Sequence, residues 1–133
     1  MLTPVHVAVA VIVNSKKQVL LALRQAHQHQ GDLWEFPGGK VEQDESVFAA
    51  LVREAKEELS ITILSAKPLI KIAHDYSDKS VLLDVWTVTE FEGIAQGCEG
   101  QSLRWCTIND LTDDDFPAAN VAIINALRQE NIT

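Results

Sequence analysis

The sequence predicts an α/β (α+β) fold, a sandwich in which helices cover a mixed β-sheet. Three observations predict it. Val- and Ile-rich runs of strand length fill residues 5–23, a run of helical period occupies 46–59, and strand-rich runs return from 61 before a helical segment near the end. The chain has 133 residues, 47% of them apolar, enough to bury one core. Residues 1–133 are therefore expected to form a single domain.

Residues 5–13 and 18–23 read as two strands, and Asn14-Ser15-Lys16-Lys17 between them supplies a turn, so a hairpin is expected. Ala26 to Asp32 carries His27, His29 and Gly31 and reads as a loop. Trp34-Glu35-Phe36-Pro37-Gly38-Gly39 follows as a short extended piece ending in a glycine turn. From Ser46 to Leu59, Phe48, Leu51, Val52, Ala55 and Leu59 recur at helical spacing. Residues 61–72 and 81–91 are β-rich and predict a pair of long strands around the polar loop Asp75 to Lys79. Gly93, Gly97 and Gly100 mark an irregular stretch. Leu103 to Cys106 reads as a last strand, Thr107 to Leu111 as a helical turn, and Pro117 to Arg128 as a terminal helix with proline in its first turn.

The formal charge of −8 repels polyanions, so duplex nucleic acid and anionic lipid are excluded as expected partners. A small phosphorylated molecule stays admissible if divalent cations invert the local sign. Cys98 and Cys106 are the only cysteines. They lack a zinc spacing and are expected to be buried thiols in a reducing compartment. The apolar start has no basic leader region, and Asn14 to Lys17 interrupts it well short of the ~20 residues a membrane span needs. A cytoplasmic protein without membrane contact is expected.

Chemistry concentrates in residues 38–61. On the expected helix Glu54, Glu57 and Glu58 fall within an arc of roughly 100°, while the apolar residues occupy the neighbouring arc. Like charges four residues apart cost a few tenths of a kcal/mol, and a cation would repair the breach. Magnesium suits it, because this hard ion takes carboxylate oxygens and keeps positions for water and phosphate. Gly38 and Gly39 let the backbone come close, so a carbonyl can add a ligand or an amide can face phosphate. Arg53 points elsewhere on the helix, where it can hold a carboxylate or the glycine loop.

Acidic runs on helices are commonly plain solvated faces, and Glu57-Glu58 alone would be read so. The spacing is what changes this. Gly39, Glu45, Arg53, Glu54, Glu57 and Glu58 fit G-x5-E-x7-R-E-x-x-E-E, and at about 7% per residue type six such positions match by chance roughly once in ten million starts. On this pattern the chain resembles the Nudix hydrolases, with the family's signature box over 39–61. The likeness extends to Arg24, to the loop from His29 into Glu35-Phe36-Pro37-Gly38, to Glu99-Gly100-Gln101 and to Asp115-Phe116-Pro117-Ala118-Ala119-Asn120. It is closest to the MutT-type branch, which removes 8-oxo-dGTP from the nucleotide pool. Two positions depart from the pattern: Ala55 stands where an aliphatic residue is usual, and Ser60 where a glycine is usual.

The resemblance implies an α/β/α sandwich with a central mixed sheet and a Mg2+-dependent pyrophosphohydrolase, with Mn2+ as a substitute ion. A small nucleoside triphosphate would be the partner, and a monomer is expected. It implies that Glu54, Glu57, Glu58, the Gly38 carbonyl and Glu99 hold the metal, and that Arg24, His29, Glu35, Phe36, Pro37, Gly38, Lys79 and Asn120 meet the substrate. Glu54 is the first candidate for the base that prepares the attacking water, with Glu99 and Glu45 as rivals and Arg53 in support.

Asn120 bears on substrate identity. Guanine shows two acceptors, N7 and O6, on its major-groove edge. In 8-oxoguanine N7 carries a proton, so the edge becomes donor plus acceptor, the complement of a side-chain amide. Each of these residues also has an ordinary reading: Asn120 as a helix-start residue, Arg24 as a strand-edge charge, His29 as a solvated loop histidine, Phe36 as core. Lys79 stands where MutT-type proteins often carry arginine, whose planar fork lysine lacks. Trp86 and Trp105 are expected in the core, and Trp34 as a wall of the pocket. Rival readings are a Nudix pyrophosphatase for CTP or a methylated cytidine nucleotide, and a Nudix-like binding module without catalysis.

Overall fold

Alternation along one strand sets the architecture. In β1 (Val5–Ile12), Val9 and Val11 join one buried cluster, while Ala8, Ala10 and Ile12 join a second one on the opposite face. The structure is a computed structural model that describes residues 3–24 and 32–130; His27, His29 and Gly31 lie outside the described residues. After β1 come β2 (Gln18–Leu23), β3 (Trp34–Glu35), β4 (Gly38–Lys40), α1 (Val47–Leu59), β5 (Thr62–Asp75), β6 (Ser80–Glu92), β7 (Leu103–Thr107), two single 3-10 turns at Ile108–Asp110 and Asp113–Asp115, and α2 (Ala118–Glu130).

Two sheets form. One is four-stranded in the order β4-β1-β6-β5, the other three-stranded in the order β3-β2-β7. The first is mixed, because β1 runs parallel to β6 and antiparallel to β4. Helix α1 closes the second cluster with Ala50, Leu51, Ala55 and Leu59. Helix α2 closes the first with Ala119, Ile123, Ile124 and Leu127. The result is the expected α/β/α arrangement. The small side chains of Ala8 and Ala10 let α1 lie close to β1, and burying Leu51 and Leu59 completely is worth roughly 1.5–3 kcal/mol each.

The long pair β5 and β6 runs further than the periodicity implied, to Asp75 and from Ser80. Ser80 Oγ donates to Asp75 Oδ1 at 2.5 Å and closes the turn. Pro68 is tolerated because β5 is an edge strand and the register shifts beside it. Among the described residues no helix is long and apolar enough to cross a membrane.

Four local expectations are corrected. The segments 5–13 and 18–23 do turn tightly, with Asn14 Oδ1 accepting from the Lys16 and Gln18 amides. They are not a paired hairpin, however: a single bridge, Val13 to Val19, links them before the strands part into separate sheets. Gly38 and Gly39 are not a turn but lie within β4, opposite Val9 and Ala8. Cys106 is buried as expected, but Cys98 is exposed, since it sits in the irregular stretch between β6 and β7 rather than on a strand. Phe48 is 37% exposed because it falls at the margin of the apolar arc, against Trp86 at 6.3 Å between ring centroids.

Ser46 caps α1, its side chain accepting from the Ala49 amide at 3.0 Å. At the other end Ser60 takes the left-handed conformation, φ 59° and ψ 30°, and its amide still donates to Lys56 O at 3.2 Å. A residue with a Cβ there costs of order 1 kcal/mol. Ser60→Gly should therefore raise the unfolding free energy by about 0.5–1 kcal/mol in urea melts. An unchanged or lower value would mean that the Ser60 Oγ contact to Cys98 Sγ, 3.3 Å, outweighs the strain.

Candidate active site

The acidic side of α1 lies against β4. A Cβ on Gly39 would stand 2.2 Å from Glu54 Cδ and 2.5 Å from either of its oxygens, and one on Gly38 would meet the Ala8 carbonyl. At 39 the Glu54 carboxylate occupies the space of a side chain, so any residue with a Cβ would displace it. Arg53 holds this corner together. Its Nε and Nη2 bond both oxygens of Glu45 at 2.8 and 2.9 Å, Nη1 bonds Glu54 Oε1 at 2.6 Å, and Nη2 also reaches the Lys40 carbonyl at 3.0 Å. One guanidinium thus ties the loop before α1, the helix and β4. It bonds its own neighbour Glu54 as well as the more distant carboxylate. The Arg53 bonds and the Glu42 amide pull the Glu45 carboxyl down to about 2.

Glu58 has the opposite surroundings. Burial first, then hydrogen bonding to Glu54 and the charges of Glu54, Glu99 and Glu35, push its carboxyl up to about 9. Glu57, the third acid of the arc, stands apart with a side chain 60% exposed, 3.6 Å from Arg53. Among the described residues no three acidic, histidine or cysteine side chains are already drawn into a cation-binding group.

Glu99 reaches Glu58 through the way α1 ends. The last carbonyls of a helix lack partners within it. Here the Leu59 carbonyl accepts from the Gln96 amide at 2.9 Å and the Glu58 carbonyl from the Cys98 amide at 3.0 Å, with Gln101 Nε2 adding 3.3 Å to the latter. Gln101 Oε1 in turn accepts from the Glu99 amide at 2.9 Å. The stretch between β6 and β7 is folded onto the helix end, and Glu99 faces the same cleft as Glu58, Arg24, Glu35 and Pro37, about 220 Å³ in volume.

A second cavity of about 230 Å³ adjoins the first, and both are bounded by Arg24, Glu35 and Gly38. Val7, Val9, Val81 and Leu83 give it an apolar wall from the parallel pair β1 and β6. Phe36, Lys79 and Asn120 also line it. Of the expected substrate residues the structure thus gathers Arg24, Glu35, Phe36, Gly38, Lys79 and Asn120 around one cavity and Pro37 beside the other, while His29 lies outside the described residues. Phe36 is 3% exposed and stacks on Phe116 at 5.7 Å. It is both core and lining, and the stack fixes the segment that leads to Asn120. Arg24 Nη1 bonds Glu35 Oε1 and Oε2, both at 2.8 Å. Burial raises the Glu35 carboxyl above its ordinary value against the opposing pull of Arg24 and Lys79.

Trp34 does not line this cavity. Arg104 covers its ring at 4.8 Å instead. Tyr76 does line it and went unnoticed in the sequence, where it is the single tyrosine in a polar loop. Gln101 was noticed only for its likeness to the family segment, since nothing in its own spacing announces a helix-capping role.

The model of the NUDIX domain matches residues 8–126. The chain is 36% identical to an Escherichia coli 8-oxo-dGTP diphosphatase over 124 residues, covering 93% of this chain and 96% of that protein. It is 37% identical to the E. coli CTP pyrophosphohydrolase over 118 residues, covering 89% and 87%. A solved structure of MutT, from work on the Aliivibrio salmonicida and Vibrio cholerae proteins, superposes with a TM-score of 0.81 at 36% identity and covers 96% of this chain and 99% of that one. Nudix hydrolases generally need a divalent metal and act on small nucleotide substrates. With the domain spanning most of its length, the signature on α1 and these likenesses, the chain belongs to the Nudix hydrolase family.

Proposed function

We propose that the chain hydrolyses nucleoside triphosphates to the monophosphate and pyrophosphate with magnesium, and that 8-oxo-dGTP is its favoured substrate. The observation that carries this is the placement of Glu58. Its half-buried carboxyl stands among those of Glu54, Glu99 and Glu35, which together with burial raise it, and it opens beside a cavity lined by a side-chain amide. A hard dication fits that donor set, since it repairs the repulsion and accepts oxygen ligands. Glu54, Glu57, Glu58 and Glu99 with the Gly38 carbonyl would hold it, and Mn2+ would serve in its place. When bound, the ion supplies charge neutralisation on the phosphoryl oxygens and activates water.

The protein's own groups do the rest. The apolar wall and Phe36 receive the base, and Asn120 reads the donor–acceptor edge of 8-oxoguanine. Lys79 and Arg24 add positive charge at the rim of the cavity. Glu54 takes the proton from the water that attacks the β-phosphorus, while Arg53 fixes the angle of its carboxylate. Glu45 is the weaker rival as base: a carboxyl held near 2 by a bidentate arginine has little proton affinity, and it serves to anchor Arg53. The likeness to the E. coli CTP pyrophosphohydrolase supports a cytidine triphosphate as the second reading. A nucleotide panel with pyrophosphate detection decides between them, and detectable magnesium-dependent turnover sets aside a binding module.

Glu54→Gln should lower kcat by about 10²–10⁴-fold with the far-ultraviolet circular dichroism unchanged; ordinary turnover would place the base elsewhere. Asn120→Ala should cut the preference for 8-oxo-dGTP over dGTP by roughly tenfold or more, whereas equal preference would remove Asn120 from base recognition. In chelator the folded protein keeps Glu58 protonated where the unfolded chain has lost that proton. Stability should then fall as pH rises from the ordinary carboxylate value of 4.5 to about 9. Glu58→Gln should flatten that slope, and magnesium binding at neutral pH should release protons into the buffer. A slope that survives the substitution would assign the effect to other groups.

A further inference from the structure

The residue before helix α2, Pro117, offers no side-chain cap. It carries no side-chain oxygen to accept one of the unpaired first-turn amides. Its backbone carbonyl accepts from the Asn120 amide at 2.9 Å. The Ala119 amide donates instead to the Tyr76 hydroxyl at 3.1 Å, 43 residues away. Tyr76 thereby does from a distance what a serine or aspartate does at an ordinary helix start.

Tyr76 belongs to the turn between β5 and β6. Its amide donates to the Lys79 carbonyl at 2.7 Å, and its ring meets His74 edge-on at 4.5 Å. Tyr76, Lys79, Pro117, Ala119 and Asn120 all line the 230 Å³ cavity. Two walls of that cavity, the hairpin tip and the start of α2, are otherwise distant in sequence, and the Tyr76 hydroxyl bridges them beside the residue that would read the base. We propose that Tyr76 is a positioning residue for nucleotide recognition, holding the first turn of α2, and with it Asn120, in register with the Lys79 side of the cavity. The inference rests on the reading of that cavity as the nucleotide site.

The hydroxyl lies at the base end of the site, away from Glu54 and Glu58 on α1, so its loss acts on binding rather than on turnover. Tyr76→Phe keeps the ring and removes only the acceptor. Steady-state kinetics should show KM for 8-oxo-dGTP raised by about 3–10-fold, as for one lost hydrogen bond, with kcat within about twofold and a reduced preference over dGTP. The Ala119 amide should exchange faster with deuterium in the nucleotide-free protein. A lowered melting temperature with KM and preference unchanged would mean a merely structural bond and overturn the proposal, as would a fall in kcat alone. Asn120→Ala, measured in parallel, separates the two ideas. If it loses the preference while Tyr76→Phe keeps both KM and preference, the latch fails and the base reader stands. If Asn120→Ala keeps the preference, the base reader fails, and the latch is judged on KM: raised by the loss of the hydroxyl, it stands; unmoved, it is refuted.

Discussion

Close approach of α1 to β4 is the constraint on which the site depends. A carboxylate from the helix lies where a side chain at position 39 would have to be, and Arg53 clamps it there by bonding Glu45, Glu54 and the Lys40 carbonyl together. The small residues Ala8 and Ala10 under the helix allow the approach from below. A side chain at 39 would displace the Glu54 carboxylate from its place against β4, beside the cleft that Glu58 shares with Glu35 and Glu99. A charged helix face is thus held in a partly dry place by one arginine and one missing Cβ.

That arrangement is electrostatically unfavourable by itself. Glu58 is pushed towards its neutral form by burial and by three neighbouring acids, a state that only a cation or a proton relieves. Structural ion pairs also shift carboxyl pKa values, and Glu45 is such a case, with its arginine in place. The two glutamates lie in one signature and on one corner of the fold, yet their surroundings drive them in opposite directions. One is an anchor, and the other, on the proposed reading, takes a ligand that brings positive charge.

Much of this was legible in the sequence. The period of residues 46–59 revealed α1 and its two faces, and the spacing of Gly39, Glu45 and Arg53 to Glu58 singled out the corner that the structure assembles. What was not legible depends on contacts between distant segments. Nothing in the local pattern says that β1 and β2 enter different sheets, because a tight turn looks the same either way. Gly38 and Gly39 looked like a turn because glycine is usually needed for φ above zero, whereas here it is needed for clearance. Glu99 was singled out only by resemblance; that it faces Glu58 follows from amides at 96 and 98 and the Gln101 side chain satisfying the end of α1. The Tyr76 bond to α2 spans 43 residues and leaves no local signal at all.

The central claim is that a dication belongs among Glu54, Glu58 and their acidic neighbours. Anomalous diffraction from crystals soaked in manganese, with a non-hydrolysable triphosphate present, tests it most directly. The account predicts a peak within coordination distance of oxygens from Glu54 or Glu58, between the α1 corner and the triphosphate. A peak elsewhere with these carboxylates unliganded, or none at saturating manganese, would contradict it.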